Sequence, residues 1–416
     1  MSRVFALSGL LLLFTTAAPA LEGAQQPADE PAAAEEVSLE DAPLAPLQAE
    51  LLELAYQTAS AMPAYPHVKD RSRAQEQVVT LCLELDQPAR ALRLLEGIEN
   101  WRRGACFADL ALYCVRSGRT EPVQGFLERA LEVARTDEQA QLQQWRGDRI
   151  RAKVAAVYAW LGEDDEASRH GEGLADSELG RVGATRAMTA GPEALDEQSR
   201  ALEAVLAAGS LDQVRGALGT WTLLHGRFYG DEERRARIED AVRSGSRKVP
   251  VLVSLELYTE LVEHALDHGD RDHALELVEE IEALFESARW TRETELPVLA
   301  RLGALRFRAG DLQGGRARVG QALASYGQNR EAILNFRRGG ILRAIGEAYV
   351  TLGAPQDALA TYAKAVEEGV VNPNSRVRAL DLSATCLSMA RIGFQPSPEL
   401  WMRMNAIFEE QLGDPW

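Results

Sequence analysis

Apolar and small residues recur at helical spacing along most of the chain. The clearest stretch is Arg343 to Val366, RAIGEAYVTLGAPQDALATYAKAV, which predicts two helices joined at Gly353. Glycine accepts the left-handed backbone conformation that ends a helix, and Gly353 lies where the first helix must stop. Pro355 then begins the second helix, where its missing N–H costs nothing. The pattern therefore predicts a pair of antiparallel helices.

Small and large residues hold fixed places around the turn at Gly353. Gly346 and Ala358 would let the two backbones approach closely, while Tyr349 and Tyr362 would fill the space beside them. The same spacing recurs, loosely at one place, around these turn positions: Asp86, Gly118, Gly162, Gly209 (the loose fit), Gly269, Gly310 and Gly393. One such pair cannot bury its apolar face alone, so successive pairs are expected to stack.

This arrangement resembles the tetratricopeptide repeat (TPR), a helix–turn–helix unit that stacks on copies of itself. The resemblance implies an all-α fold, an α-α superhelix in the form of a TPR-like solenoid of antiparallel helix hairpins. It covers most of residues 67–412. Four of the intervals between turns run from 40 to 44 residues, longer than the family's usual ~34, which predicts lengthened helices.

The chain divides into five segments by composition and pattern. Residues 1–20 combine a basic start, an apolar run and Ala18-Pro19-Ala20, which predicts a signal peptide. Residues 21–42 are rich in Ala, Pro and acid and are predicted to be a disordered tether. The rest is predicted to be TPR-like repeats over 43–175, an irregular helical segment over 176–248 and further TPR-like repeats over 249–412.

These features predict an exported protein, periplasmic or extracellular, with no integral membrane segment after signal cleavage. An uncleaved anchor or a buried helix at residues 1–20 is the alternative. The formal net charge of −18 argues against a nucleic-acid partner, because nucleic-acid binding needs a basic surface.

Four cysteines are present, at positions 82, 106, 114 and 386. Cys82 and Cys114 each precede a predicted turn by four residues, so an oxidising compartment would permit a disulfide between them. The alternative is that the cysteines are free and serve as small buried apolar residues.

Three of the six histidines lie in the segment HALDHGDRDH. His264 and His268 would share one helix face, and two imidazoles at that spacing can hold zinc or copper; with His273 they are the candidate metal ligands. However, Ala265 stands where a zinc peptidase has its glutamate. The predicted turn at Gly269 also explains the polar residues, including an aspartate that caps the next helix. We therefore expect neither a metal nor a cofactor.

The family resemblance implies that the first helix of each pair lines a concave groove. Small, apolar and arginine residues face it, and the candidate partner-binding residues are Arg116, Arg149, Trp160, Phe307, Arg308 and Arg343. Because guanidinium groups suit carboxylates, we expect a peptide or protein partner carrying acidic residues. The alternative is that these arginines only solubilise the helix surfaces. The acidic tether of the same chain would also suit this groove.

No phosphate-binding loop, nucleophile elbow or kinase signature occurs in the sequence. We therefore expect a non-enzymatic protein–protein interaction scaffold outside the cytoplasm. Three alternatives remain: an exported enzyme with its site near Trp221, His225 and Tyr229, metal capture at the histidine segment, and an architectural role in an envelope assembly.

Overall fold

The computed structural model describes residues 39–139, 143–191 and 195–416. The predicted signal peptide and nearly all of the predicted tether lie outside these residues. Within them the fold is all-α, with nineteen α-helices, one short 3₁₀ helix and no strand. The chain is thus a helical repeat protein, as the sequence pattern predicts.

The helices have the following bounds in chain order: α1 Pro46–Ala61, α2 Ala64–Glu84, α3 Pro88–Leu95, α4 Arg102–Arg116, α5 Val123–Gln139, α6 Gln144–Leu161, α7 Asp164–Gly171, α8 Asp176–Thr189, α9 Leu195–Ala208, α10 Leu211–Arg227, α11 Glu232–Ser246, α12 Val251–Asp267, α13 Arg271–Glu286, α14 Arg292–Arg308, α15 Leu312–Asn329, α16 Asn335–Thr351, α17 Pro355–Val370, α18 Ser375–Arg391 and α19 Pro398–Glu410. The 3₁₀ helix is Arg330–Ala332, directly after α15. No helix among the described residues has the length and apolar character needed to cross a bilayer.

Seven helix pairs pack closely as hairpins: α2 with α3, α4 with α5, α6 with α7, α10 with α11, α12 with α13, α14 with α15 and α16 with α17. The backbone φ is positive at all seven firmly predicted turn positions: Asp86, Gly118, Gly162, Gly269, Gly310, Gly353 and Gly393. The predicted turn positions are therefore confirmed.

The loose match at Gly209 is wrong. That glycine lacks the left-handed conformation of the other turns, and the match would make α10 the second helix of a pair. In the structure α10 pairs with α11 and packs between α8 and α12, so it belongs with the first helices. The error arose because α9 and α10 repeat the apolar spacing of a hairpin without its packing.

Close backbone approach explains the small residues beside the turns. A Cβ on Gly315 would lie 2.6 Å from the carbonyl oxygen of Gly303, and a Cβ on Gly346 would lie 3.0 Å from the ring of Tyr362. Larger residues do not fit without displacing a neighbour. The predicted close backbone approach is confirmed at Gly303 and Gly315, whereas at Gly346 the space is filled by the ring of Tyr362.

Nine of the described helices contact one another in series, and we call them the first helices: α2, α4, α6, α8, α10, α12, α14, α16 and α18. The two ends of this series, α2 and α18, also contact each other. Helix α1 packs along α18, where the Gln48 side-chain amide donates to the carbonyl of Ala390 at 2.6 Å and Ser383 Oγ donates to the carbonyl of Ala55 at 3.0 Å. Arg376 of α18 and Asp70 of α2 form an ion pair at 2.6 Å beside this junction. The described helices therefore form a closed circuit, which the sequence pattern does not predict.

The last residues of the predicted tether are attached to the first hairpin. Asp41 Oδ1 accepts a hydrogen bond from the backbone N–H of Ala89 at 2.8 Å, at the N-terminus of α3. Gln87 donates from its side-chain amide to the carbonyl of Ala42 at 2.6 Å. Residues 39–42 thus belong to the folded body rather than to a disordered tether.

All four cysteines are free and buried. Burial raises the pKa of Cys82 to about 12 and that of Cys114 to about 11. Thiols with such high pKa values stay protonated near neutral pH and are poor nucleophiles. The cysteines therefore fill the core as small apolar residues, and the structure has no disulfide between Cys82 and Cys114.

Candidate functional site

The surface formed by the first helices, which we call the inner face, carries all six predicted partner-binding residues. They lie on α4 (Arg116), α6 (Arg149 and Trp160), α14 (Phe307 and Arg308) and α16 (Arg343). Four of them line pockets rather than one continuous groove: Arg116 and Arg149 share one pocket, Arg308 lines a second, and Arg343 lines a third that adjoins the second. The pockets differ in whether their arginines already form ion pairs with acids of the chain.

One pocket of about 440 Å³, here called pocket A, lies between α4, α6, α8 and α10. Arg116 and Arg149 line it and are both exposed. Small residues keep it open, because a Cβ on Gly216 or on Gly219 would meet no atom within 4 Å. Leu223 adds an apolar side chain that is 44% exposed. Glu178 also lines the pocket, so pocket A combines two arginines and one acid with small and apolar groups.

The two arginines of pocket A form no ion pair with any acid among the side chains that the structure describes. The guanidinium of Arg116 lies 4.6 Å from the centre of the Trp160 ring, a cation–π contact that orients it without neutralising its charge. Both guanidinium groups therefore keep donors free for a carboxylate.

A larger pocket of about 570 Å³, here called pocket B, lies between α12, α14 and α16 and the end of α18. Its lining includes apolar residues such as Leu252, Val298 and Leu302. Arg308 lines it as well but forms an ion pair with Glu263 of α12. Pocket B therefore offers apolar surface with part of its charge already compensated.

The remaining predicted residues are engaged within the chain. Arg343 forms an ion pair with Asp381 and donates to Thr385 Oγ1 at 3.2 Å. Phe307 is half-buried, with the guanidinium of Arg316 at 5.1 Å from its ring centre. These contacts join neighbouring helices, so they explain the residues without a partner.

The three histidines of the predicted metal segment lie in different surroundings. His264 faces His225, with 3.4 Å between their Nδ1 atoms. His268 is exposed at the end of α12 and stacks on Tyr229, with 4.4 Å between ring centres. His273 contacts Glu239. The three side chains are thus not gathered around one point.

A different group forms between α10, α11 and α13: His225, Glu239 and His273, which we call the His–Glu–His cluster. Glu239 Oε1 lies 3.1 Å from His225 Nε2 and 2.8 Å from His273 Nε2. The side chain of His225 is fully buried and that of Glu239 nearly so, whereas that of His273 is 18% exposed. One nitrogen or oxygen from each residue lies within 4.8 Å of the others.

The cluster favours an ionised glutamate. Burial would raise the pKa of Glu239, but hydrogen bonds from His225 and His273 outweigh it and hold that pKa far below its usual range. The same bond to Glu239 raises the pKa of His273. His264 behaves in the opposite way, because burial lowers its pKa to about 4 and keeps its imidazole neutral.

Sequence reasoning singled out His225 and His273 but missed Glu239. Glu239 lies on α11, a charged helix whose exposed acids give no reason to choose one of them. Its only sequence signal is its place on the apolar side of that helix, next to Ile238 and three residues before Val242, both fully buried.

Of the three residues of the suggested enzyme site, Trp221 and Tyr229 have packing or hydrogen-bonding roles within the fold. Trp221 is buried in the core, and Tyr229 donates a hydrogen bond from its hydroxyl to Asp270 Oδ2 at 2.9 Å. Asp270 also caps α13 by accepting from the N–H of His273, as predicted for an aspartate at this turn. Only His225 retains chemistry beyond packing, through Glu239.

Comparisons with known proteins leave the function open. No protein-family model matches the chain, and no curated protein matches it. Among solved structures the chain is similar to a "Circular tandem repeat protein with novel repeat topology and enhanced subunit contact surfaces", with 16% identity and a TM-score of 0.25 over 88% of this chain and 94% of that one. At these values the likeness carries no argument about function.

Proposed function

We propose that the protein is a non-enzymatic scaffold that binds a peptide or protein carrying acidic residues on its inner face, at pocket A. The observation that carries this proposal is the pair of exposed arginines, Arg116 and Arg149, which have no acidic partner within the described side chains. Arginine pairs well with carboxylates because its planar group offers two parallel N–H donors.

The contrast with other arginines supports this choice. In a chain of net charge −18, acids are plentiful, and Arg308 and Arg343 on the same inner face are paired with Glu263 and Asp381. Pocket A has two arginines without an ion pair to any described side chain, against one acid, Glu178, in the same lining. This excess of positive charge in an acidic protein suits the pocket to bind acids from elsewhere. Gly216 and Gly219 leave room for a peptide backbone, and Leu223 offers it an apolar contact.

Two finer features belong to the same proposal. We infer that the repeat is of the TPR type, supported by the left-handed turns and by the small residues packed beside them.

We also infer that the protein works outside the cytoplasm, supported by the composition of residues 1–20. A fusion of residues 1–25 to a compartment-sensitive reporter tests export, and a reporter retained in the cytoplasm would contradict it.

Peptide binding tests the scaffold proposal. The probe is a panel of labelled 12-residue peptides that combine Glu and Leu, with matched peptides in which every Glu is Gln. In fluorescence anisotropy, we expect the wild type to prefer the Glu peptides and the Arg116→Ala/Arg149→Ala variant to bind them roughly tenfold or more weakly.

Arg135→Ala is the matched control, because Arg135 is exposed on α5, outside pocket A. It should bind like the wild type. Equal binding of Glu and Gln peptides by the wild type, or equal losses in the double variant and the control, would contradict the proposal.

A further inference from the structure

The His–Glu–His cluster brings three metal-ligating side chains together from three helices. His225 comes from α10, Glu239 from α11 and His273 from α13. Two imidazole nitrogens and one carboxylate oxygen form a donor set that zinc and other first-row divalent metals accept. We propose that these three residues bind one divalent transition-metal ion, with zinc as the best match.

The outer nitrogens of both histidines are held in the way that metal-binding histidines require. With Nε2 on the metal, His225 would present its Nδ1–H to His264 Nδ1, which lies 3.4 Å away. His273 would present its Nδ1–H to Glu276 Oε2 at 3.2 Å. Such outer partners fix the tautomer and the orientation of a metal-bound imidazole. His264 suits the acceptor role, because its Nδ1 faces the Nδ1–H of His225.

The two distances from Glu239 to the imidazole nitrogens suit a small ion after a slight opening, and the two nitrogens lie within 4.8 Å of each other. Zinc bonds of about 2.0–2.1 Å in a tetrahedral site place neighbouring ligand atoms roughly 3.3 Å apart. Glu239 Oε1 lies 3.1 Å from one imidazole nitrogen and 2.8 Å from the other. His273 must therefore retreat by about half an ångström, which its partly exposed place in the first turn of α13 allows.

The charges around the cluster also favour a cation. Arg243 bonds the second oxygen of Glu239 at 3.1 Å, and Arg235 lies 3.9 Å from the first. Each arginine is itself paired with further acids: Arg243 with Glu280 and Asp240, and Arg235 with Asp270. Together with Glu239 and Glu276, these five carboxylates outnumber the two guanidinium groups.

Without a metal, the same atoms form hydrogen bonds in which both imidazoles donate Nε2–H to Glu239. On metal binding each neutral ring would change tautomer: its single N–H hydrogen would leave Nε2, which binds the metal, and Nδ1 would carry a hydrogen instead. Three protein ligands leave a fourth position for water or another ligand. This inference is independent of pocket A, and it reverses the expectation from sequence that the protein holds no metal.

Calorimetry with zinc chloride on the untagged full chain tests the site. We expect one zinc per chain in the wild type and binding roughly 100-fold weaker in His273→Ala, whose partial exposure lets the fold survive the change. His268→Ala is the matched control, because His268 lies five residues away on the exposed face of the same turn. It should bind zinc like the wild type.

Cobalt provides a second readout that does not depend on comparing affinities. The wild type with one equivalent of Co²⁺ should show the visible absorption of a four- or five-coordinate site, and His273→Ala and Glu239→Gln should lose it. Circular dichroism confirms that both variants fold. No zinc binding by the wild type, or unchanged zinc binding in His273→Ala, would overturn the proposal.

Discussion

Gly315 and Gly320 lie five residues apart on α15 but meet different surroundings. A Cβ on Gly315 would lie 2.6 Å from the backbone oxygen of Gly303 and 2.8 Å from Phe307 Cβ, whereas a Cβ on Gly320 would meet nothing within 4 Å. Backbone atoms cannot move aside cheaply, so the space at Gly315 is a condition of the α14–α15 packing. Gly320 has no comparable reason to be glycine.

This difference predicts opposite effects on stability. Gly315→Ala should lower the free energy of unfolding by about 1–3 kcal/mol, because the methyl group overpacks the helix contact. Gly320→Ala should raise it by about 0.5–1 kcal/mol, because alanine favours the helix. Urea unfolding monitored by circular dichroism measures both. A Gly315→Ala protein as stable as Gly320→Ala would contradict this account of the packing.

At the level of single residues, sequence reasoning worked where the backbone sets the requirement. The turn positions and the close contact of Gly346 with Tyr362 follow from local spacing and from the conformations that glycine allows. Glu239 did not follow, because its partners His225 and His273 are distant in sequence. Spacing within one helix cannot reveal which side chains of three helices meet.

Helices α16 and α17 and the 3₁₀ helix before them are joined by a partly buried ion pair. Glu368 of α17 accepts from Arg330 at 3.0 Å and lies 3.5 Å from Arg338 of α16. The side chains of Glu368 and Arg338 are only 10% and 9% exposed. Burial raises the pKa of Glu368, but hydrogen bonds from Arg330 outweigh it and leave that pKa below its usual value.

Glu368→Gln should therefore destabilise the protein by about 2–3 kcal/mol at pH 7, because it leaves buried arginine without its counter-charge. A carboxyl group whose pKa is lower in the folded than in the unfolded protein stabilises the fold fully at pH values above its unfolded pKa, near 4.5. This stabilisation is lost as the pH falls through the folded pKa. The difference between wild type and variant should thus be constant above about pH 5 and shrink below about pH 4.

Glu331→Gln is the control, because Glu331 contacts the same two arginines but its side chain is 84% exposed. Its loss should cost less than about 1 kcal/mol. Thermal unfolding from pH 3 to pH 8 measures all three proteins. A Glu368→Gln effect that does not change with pH would contradict the ionised state of Glu368.

Elements were predicted well where each helix pair is regular and poorly where it is not. The hairpins on both sides of residues 176–248 were predicted from apolar spacing together with the turn positions and the small residues beside them. The assignment of α10 failed, because α9 packs only weakly against it and the true partner, α11, is a charged helix with few apolar positions. Periodicity shows which residues of a helix are buried, but not which neighbour buries them.

At the scale of the whole described body, the junction of α1 with α18 decides whether the array is open or closed. Ser383 lies in this junction, is almost fully buried and donates to the carbonyl of Ala55 at 3.0 Å. A repeat pattern in the sequence does not predict such a contact, because the contact joins residues more than three hundred positions apart. Closure was therefore beyond the reach of local sequence reasoning.

Ser383→Leu should separate α1 from α18, because the junction has no room for a larger side chain. In hydrogen exchange, we expect the amides of α1 to exchange at least tenfold faster in this variant and those of α10 to remain unchanged. Ser383→Ala, which removes one hydrogen bond and adds no bulk, should keep α1 protected.

Hydrogen exchange of the wild type alone can also contradict the closed arrangement. In an open stack the terminal helices fray first, whereas joined ends should be protected like the interior. If α1 were already among the fastest-exchanging segments of the wild type, the junction would not hold in solution.

The contact between α1 and α18 also limits how this architecture can vary. An open solenoid can gain or lose a unit at little cost, because each unit touches only its neighbours. Here an inserted or deleted hairpin would alter the curvature needed for α1 to reach α18, and it would expose apolar surface at both ends together. The number of hairpins is thus set by geometry, as the number of strands is set in a barrel of given diameter.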